Sequence, residues 1–202
     1  MSLKISFILP CYNVERYIAD CLESIYAQDM PENEFEVICV DDCSTDNTCK
    51  VIEGRQSSHS NLKLIRHSKN SHVGIARNTG INNAVGEYVC FVDADDMLPK
   101  DVMKRFYSVA FENDLEVLLY NFKVVSDGAC IDDKIRFPDS DVVSGGEYVE
   151  HCLLGDIGQL GIVWAKLFKR SKSAAVRPLR VRGLDTAISM ASTSIPSSPT
   201  SE

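Results

Sequence analysis

A chain of 202 residues is long enough for one substantial α/β domain and does not demand a second. With 45% apolar and 25% charged residues its composition is ordinary for a globular protein, which excludes disorder of the whole chain. A formal net charge of -8 argues against a nucleic-acid partner, because binding a phosphate backbone draws on a basic face.

In chain order, the apolar runs predict a strand at Lys4–Leu9, a helix from about Val14 to Ala27 and a strand at Phe35–Val40, a βαβ opening. A helix from about Asp46 to Gln56, a strand at Leu62–Arg66, a helix from about Val73 to Val85 and a strand at Glu87–Val92 continue the alternation. Pro99 suits the first turn of a helix reaching about Asn113, and Leu115–Tyr120 reads as a further strand. Ser126-Asp127-Gly128 marks a turn, and Gly145-Gly146 precedes a helix at Glu147–Leu154. Such alternation predicts an α/β fold with a mostly parallel sheet, right-handed crossovers and flanking helices.

The eight cysteines lie largely within apolar runs, such as Cys39 in Phe35–Val40 and Cys90 beside Phe91, and none forms a C-x-x-C pair. They read as small buried hydrophobes with reduced thiols. No apolar run approaches the roughly 20 residues a membrane span needs. Met1–Lys4 lack the apolar region of a secretory signal. A cytoplasmic location is expected, with peripheral attachment at the inner face of the membrane left open.

The chain changes character near residue 171. Every Phe, Tyr and Trp lies before that point, and Ser171–Glu202 also lack cysteine and end in a Ser/Thr/Pro-rich run. Lys172, Arg177, Arg180 and Arg182 against Asp185 and Glu202 leave this tail at +2, so the part before it carries -10. Residues 1–170 are expected to form the domain, and 171–202 a disordered tail with the marks of a truncated or frameshifted end.

In an open parallel sheet, ligands bind beyond the carboxyl ends of the strands. Three polar clusters follow strands here: Pro10-Cys11-Tyr12-Asn13, Asp41-Asp42-Cys43-Ser44-Thr45-Asp46 and Asp93-Ala94-Asp95-Asp96. Two carboxylates one residue apart, as in Asp93-Ala94-Asp95, offer oxygens to a hard divalent cation that a diphosphate could share. An isolated Asp-x-Asp more often caps a helix or solvates a loop. At a buried strand end, with Asp41 and Asp42 at another, such charge calls for a cation or polar ligand. Ser44, Thr45 and Asp46 read most simply as a helix cap, and Asn13 and Glu15 as helix-start residues. Tyr12 suits either packing on the sheet edge or stacking on a base. In Gly74-Ile75-Ala76-Arg77-Asn78-Thr79-Gly80, helical spacing sets Gly74, Arg77 and Asn78 on adjoining parts of one surface. Arg77 is the natural counter-charge for a diphosphate, against the plain reading of a solvent-facing arginine.

Four motifs in this order and spacing resemble glycosyltransferase family 2: Ser6–Asn13, Glu36–Asp46, Gly74–Gly80 and Gly86–Asp96. The resemblance covers about Lys4–Arg170, because Val163-Trp164-Ala165-Lys166-Leu167-Phe168-Lys169-Arg170 is also similar to a family segment. Cys43 departs from the glycine common in the family at that turn. The resemblance implies a GT-A fold and an inverting, metal-dependent transfer of a sugar from a nucleoside diphosphate to a saccharide, lipid-linked or other hydroxyl acceptor. It implies a donor site drawn from Pro10, Tyr12, Asn13, the nearby Glu15, Asp41, Asp42, Ser44, Arg77, Asn78, Asp93 and Ala94, with Asp95 holding Mg2+ or Mn2+. Within that set, Pro10, Tyr12 and Asp42 would meet the base, Asp93 the ribose and Arg77 the phosphates.

The family's general base lies in a Glu-Asp motif after the Trp-x-Lys-Leu segment, and no Glu-Asp pair follows Arg170. No catalytic base is therefore assigned. A noncatalytic nucleotide-sugar-binding or assembly module is the alternative expectation, with self-association through apolar surface left uncovered. A dinucleotide oxidoreductase is disfavoured, because the first strand runs into Pro10-Cys11-Tyr12-Asn13 without a G-x-G-x-x-G turn.

Overall fold

The computed structural model describes residues 3–126, 129–132, 143–144, 164–170 and 180–190. The chain begins with β1 (Ile5–Cys11), α1 (Ile18–Tyr26), a 3-10 turn at Glu32–Glu34, and β2 (Phe35–Asp41). It continues with α2 (Thr48–Gln56), β3 (Leu62–Arg66), α3 (His72–Asn83), β4 (Tyr88–Phe91), α4 (Met103–Glu112) and β5 (Val117–Ser126). Among the described residues follow β6 (Ala129–Asp132), β7 (Val143–Ser144), β8 (Lys166–Lys169) and β9 (Arg180–Met190). The strands form one sheet in the order β3-β2-β1-β4-β8-β5-β9-β7, with β6 paired to β5. β3, β2, β1 and β4 are mutually parallel, while β8 runs antiparallel to both β4 and β5.

β1, β2 and β4 are buried on both faces, as expected for strands that read as continuous apolar runs, while β3 at the edge is largely half-buried or exposed. β2 is buried at every position and β1 at all but Pro10. α1, α2 and α4 cover one face through Ile18, Leu22, Ile25, Ile52, Met103 and Phe106. On the other face Ala76 of α3 packs with Ile8, Ile38, Val40, Val89 and Phe91. A Cβ on Gly80 would lie 2.3 Å from Ile8 Cγ2, so α3 rests directly on β1.

Two polar residues inside the strands are satisfied as a unit. Ser6 Oγ donates to Glu36 Oε1 at 2.7 Å, Lys63 Nζ to Glu36 Oε2 at 2.7 Å, and the Val85 amide to Glu36 Oε1 at 2.7 Å. Burial alone would raise the Glu36 carboxyl, but these donors outweigh it and hold it below the ordinary range. The Gly86 amide donates to Ser6 Oγ at 2.8 Å, and a Cβ there would meet the Ile5 and Ser6 backbone at 2.6 Å.

Several boundaries differ from the sequence expectations. α1 begins at Ile18 and not near Val14, because the residues before it are engaged by another loop, as described below. α4 begins at Met103 and excludes Pro99. Gln28 Oε1 accepts the amides of Val102 and Met103 at 3.1 and 3.2 Å, so the start of this helix is satisfied by a residue at the end of α1. β5 runs on past Tyr120 to Ser126, where Ser126 faces Ala129 across the predicted turn, whose Asp127 and Gly128 lie outside the described residues. The Gly145-Gly146 turn and the Glu147–Leu154 helix also lie outside them.

Within the expected tail, Arg180–Met190 is described as a strand. This stretch pairs in parallel with β5, Val117 facing Val181 and Val124 facing Met190, and antiparallel with β7. Ladder pairing satisfies backbone groups whatever the side chains, and composition did not register it. The remainder of 171–202 lies outside the described residues. Seven cysteines are free thiols, and among the described residues no helix is long and apolar enough to cross a membrane.

Candidate functional site

The carboxyl ends of β1, β2 and β4 meet at one rim, where two adjoining cavities open. One, of about 540 Å³, is lined by Pro10, Cys11, Tyr12, Asp42, Asn70, His72, Val73 and Ala76. The other, of about 720 Å³, is lined by Pro10, Tyr12, Asn13, Val14, Arg16, Tyr17, Val73, Arg77, Asp93, Ala94 and Asp95. Pro10, Tyr12 and Val73 belong to both. Tyr12 is 48% exposed and makes no ring contact among the described residues, which leaves its face free for a planar ligand.

The larger cavity is dominated by carboxylates and one cation. Arg77 Nη2 donates to Asp93 Oδ1 at 2.8 Å, with only 21% and 29% of the two side chains exposed, so Arg77 is not a solvent-facing helical arginine. Arg77 Nε is buried and has no partner. Burial raises the Asp93 carboxyl, Arg77 pulls it back, and the charge of Asp95 raises it again. Asp96, 8% exposed, is pushed up to about 7, first by burial and then by Asp95 and Asp93. Three acids within four residues thus share one turn, closed by the Asp96 amide donating to the Asp93 carbonyl at 2.9 Å. The Asp95 side chain makes no hydrogen bond or ion pair among the described residues. Nor do those residues contain a group of three or more His, Cys, Asp or Glu side chains set to hold a metal.

The smaller cavity has Asp42 in its wall. Asp42 accepts the Ser71 amide on both oxygens, at 2.9 and 3.0 Å, and His67 Nδ1 on Oδ1 at 2.7 Å. His67 Nε2 lies 2.9 Å from Thr79 Oγ1. Burial would raise the Asp42 carboxyl, but His67 and the amides of Ser71 and His72 outweigh it and hold it below the usual carboxylate range. Asn70 and His72, both in this cavity wall, were not among the residues singled out in the sequence. The only local signal for them is a polar stretch after a strand.

Other candidate residues have a bracing role. Asn13 does not start α1; its amide donates to Ser44 Oγ at 2.9 Å, and its Oδ1 accepts the Thr45 amide at 2.8 Å. Glu15 Oε2 accepts the Asn47 amide at 2.7 Å, while the Glu15 amide donates to Asp46 Oδ2 at 3.1 Å. These bonds stitch the β1–α1 loop to the β2–α2 loop, and Glu15 lines neither rim cavity. Of the expected cap residues, Asp46 accepts the Thr48 amide at 2.9 Å at the start of α2, whereas Ser44 serves the neighbouring loop. Asp41 also lines neither cavity. Its Oδ2 accepts the Ser44 amide at 3.2 Å, and its buried Oδ1 has no hydrogen-bond partner. Asn78 lies apart from the acidic turn, in an apolar cavity of about 490 Å³ with Gly74, Arg77, Ile81, Val89, Phe91 and Phe168.

Asn13, Cys43 and His72 adopt positive φ angles of 53°, 67° and 69°, a region that costs side-chain-bearing residues energy. All three lie at this rim, Asn13 and Cys43 in loops and His72 at the first position of α3. Cys43 thus takes the conformation a glycine would adopt freely at that turn.

A profile described as Glycosyl transferase family 2 matches residues 6–150. The poly(ribitol-phosphate) beta-glucosyltransferase of Bacillus spizizenii is 32% identical over 171 residues, covering 84% of this chain and 26% of the relative. The poly(ribitol-phosphate) beta-N-acetylglucosaminyltransferase TarS of Staphylococcus aureus is 42% identical over 125 residues, covering 61% of this chain and 22% of the relative. This chain therefore spans about a quarter of the length of these curated relatives. The crystal structure of S. aureus TarS 1-349 in complex with UDP-GlcNAc superposes with a TM-score of 0.78 at 29% identity, covering 99% of this chain and 62% of that one. The mannosyltransferase PcManGT from Pyrobaculum calidifontis, in complex with GDP-Man and Mn2+, gives 0.55 at 27% identity over 59% of this chain and 35% of that one.

Proposed function

This chain belongs to glycosyltransferase family 2 and has its GT-A fold, and from that premise we propose that the rim cavities bind a nucleoside-diphosphate sugar whose sugar is transferred to a hydroxyl acceptor. The observation that carries the reading is the Arg77–Asp93 pair at 2.8 Å beside Asp95 in the wall of the larger cavity. The smaller cavity, with Pro10, Tyr12 and Asp42, takes the base. Asp93 meets the ribose, and Arg77, whose Nε has no hydrogen-bond partner among the described residues, turns that donor toward the diphosphate. UDP and UDP-GlcNAc in the related TarS structures support a nucleoside-diphosphate-sugar donor.

The acidic turn fits a divalent cation. Asp93 and Asp96 are raised in part by neighbouring carboxylates, a repulsion a cation relieves, and Asp95 has no partner among the described residues to displace. One or two carboxylates with substrate phosphates completing the shell is the usual manner of holding Mg2+, and Mn2+ is served by the same oxygens. When bound, the ion neutralises charge on the departing nucleoside diphosphate. The protein's own residues orient the donor: Asp42 through the base edge, Tyr12 through the ring face, Asp93 through the ribose. Inversion at the anomeric carbon follows from attack on the face opposite the leaving group. The relatives' poly(ribitol-phosphate) acceptors support a saccharide or polyol-phosphate acceptor and a part in polysaccharide assembly. The seven free thiols support a cytoplasmic location.

A second reading, a nucleotide-sugar-binding module that does not catalyse transfer, rests on the same donor site. Calorimetry with UDP and GDP, with and without Mn2+, tests the shared part of both readings. Metal-dependent binding of at least one is expected, and binding of neither sinks both. UDP release from a UDP-sugar in the presence of acceptor then separates transferase from binding module.

A further inference from the structure

Resting on the reading of the smaller cavity as the base site, we propose that His67 is a positioning residue for base recognition. Together with Thr79 it fixes Asp42 as an ionised acceptor that selects a base with a ring N–H, such as uracil, over one with a bare ring nitrogen, such as cytosine.

His67 is the first residue beyond β3, and its amide donates to the Asp41 carbonyl at 2.9 Å, extending the β2–β3 ladder by one step. That backbone bond sets the ring beneath the end of β2. The side chain is 15% exposed and that of Asp42 is 5% exposed, so neither exchanges freely with water. Because Asp42 is held ionised, the 2.7 Å contact requires the proton on Nδ1. In the neutral ring Nε2 is then an acceptor, and Thr79 Oγ1 supplies its hydrogen at 2.9 Å. One ring thus ties together the end of β2, the end of β3 and the middle of α3.

The consequence lies in the lone pairs of Asp42. Oδ1 accepts from both Ser71 and His67, whereas Oδ2 has the longer Ser71 contact and no side-chain donor among the described residues, so with the His72 amide also lending support the spare acceptor capacity lies chiefly on Oδ2. Asp42 lines the cavity that Tyr12 and Pro10 also line. A base donating a ring N–H satisfies that oxygen. A base presenting a ring nitrogen lone pair sets acceptor against acceptor in a part-buried site, and specificity of this kind depends on the acceptor not turning away. Without His67 the carboxylate is held only by the successive backbone amides of Ser71 and His72 and is free to pivot about Cβ–Cγ. His67 is the lateral contact that stops it.

The test is calorimetry of the full chain with UDP and CDP in the presence of Mn2+, for the wild type and for His67→Leu, His67→Asn and Thr79→Val. The wild type is expected to prefer UDP. His67→Leu should weaken UDP roughly ten- to hundredfold, the worth of a charge-assisted hydrogen bond, and weaken CDP much less, so that the UDP:CDP ratio collapses. His67→Asn, whose side-chain amide can replace Nδ1–H, should restore most of the ratio, and Thr79→Val should lower it partway. A purely structural role for His67 would shift both affinities together. A folded His67→Leu with the wild-type ratio overturns the proposal; if that variant does not fold, an unchanged ratio in Thr79→Val overturns it. Failure of the wild type to bind UDP would instead strike the base-site reading itself.

Discussion

Replacing Arg77 by Met keeps the length and apolar stem of the side chain and removes its charge. Asp93 then loses the guanidinium, held at 2.8 Å, that offsets its charge. A charge-assisted hydrogen bond contributes about 1.5–3 kcal/mol, and at 21% and 29% exposure the pair keeps much of that strength. Asp93 recovers part of the loss by taking up a proton more readily, so a net cost of about 2 kcal/mol is expected. For a chain of this size that is a fall of roughly 4–8 °C in melting temperature. The pH dependence has a definite sign. The Asp93 carboxyl is already raised in the folded state, and losing Arg77 raises it further. A folded-state pKa above the unfolded one makes stability rise as pH falls between the two, so the deficit of the variant should shrink from neutral pH toward about pH 4. Thermal melts across that range, combined with Asp93→Asn in a double-mutant cycle, provide the measurement. Melting within a degree of wild type at neutral pH, or a cycle with no coupling, would refute the reasoning.

Two further predictions concern the scaffold. Cys43 holds a φ of 67° at a turn where glycine carries no penalty, so Cys43→Gly should stabilise the protein or leave it unchanged, by about 0–1 kcal/mol, despite the looser unfolded chain; a clear drop in melting temperature would show that the thiol packs usefully. Glu36 is held below the ordinary carboxylate range, so its contribution is present above the unfolded pKa of about 4.3 and is lost as pH falls through its folded pKa. Glu36→Gln should cost stability at neutral pH and show a shallower loss on acidification; acid melts parallel to wild type would count against that.

What the sequence disclosed and what it hid divide along one physical line. β1, β2 and β4 ended within two residues of their predicted limits, because a strand buried on both faces is an uninterrupted apolar run, and β3 matched its limits through Leu62, Leu64 and Ile65. Tyr12, Arg77, Asp93 and Asp95 could be picked out because each follows a buried strand or opens a helix. The features that escaped all depend on partners far away in the chain. Gln28 caps α4 from 74 and 75 residues away, and Asn13 and Glu15 brace a loop about 30 residues on. The Ser71 amide closes on Asp42 across 29 residues. β9 pairs with β5 through its backbone, which no composition reports.

Those distant pairings follow from the strand order. With β1 between β2 and β4, and β3 outside β2, the loops after all four strands emerge side by side on one rim. Each loop is short and polar and would be mobile alone. Pressed together, they exchange side-chain bonds: Asn13 with Ser44 and Thr45, Glu15 with Asn47, Asp42 with His67 and Ser71, Arg77 with Asp93. Arg77 is carried to Asp93 by α3, whose Gly80 allows the helix to lie against Ile8 of β1. The same buried strands that made the fold legible are therefore what hold the rim loops in register. The rim then carries its strained residues and its crowded carboxylates at the expense of the sheet's stability, which is where a ligand that relieves them would return binding energy.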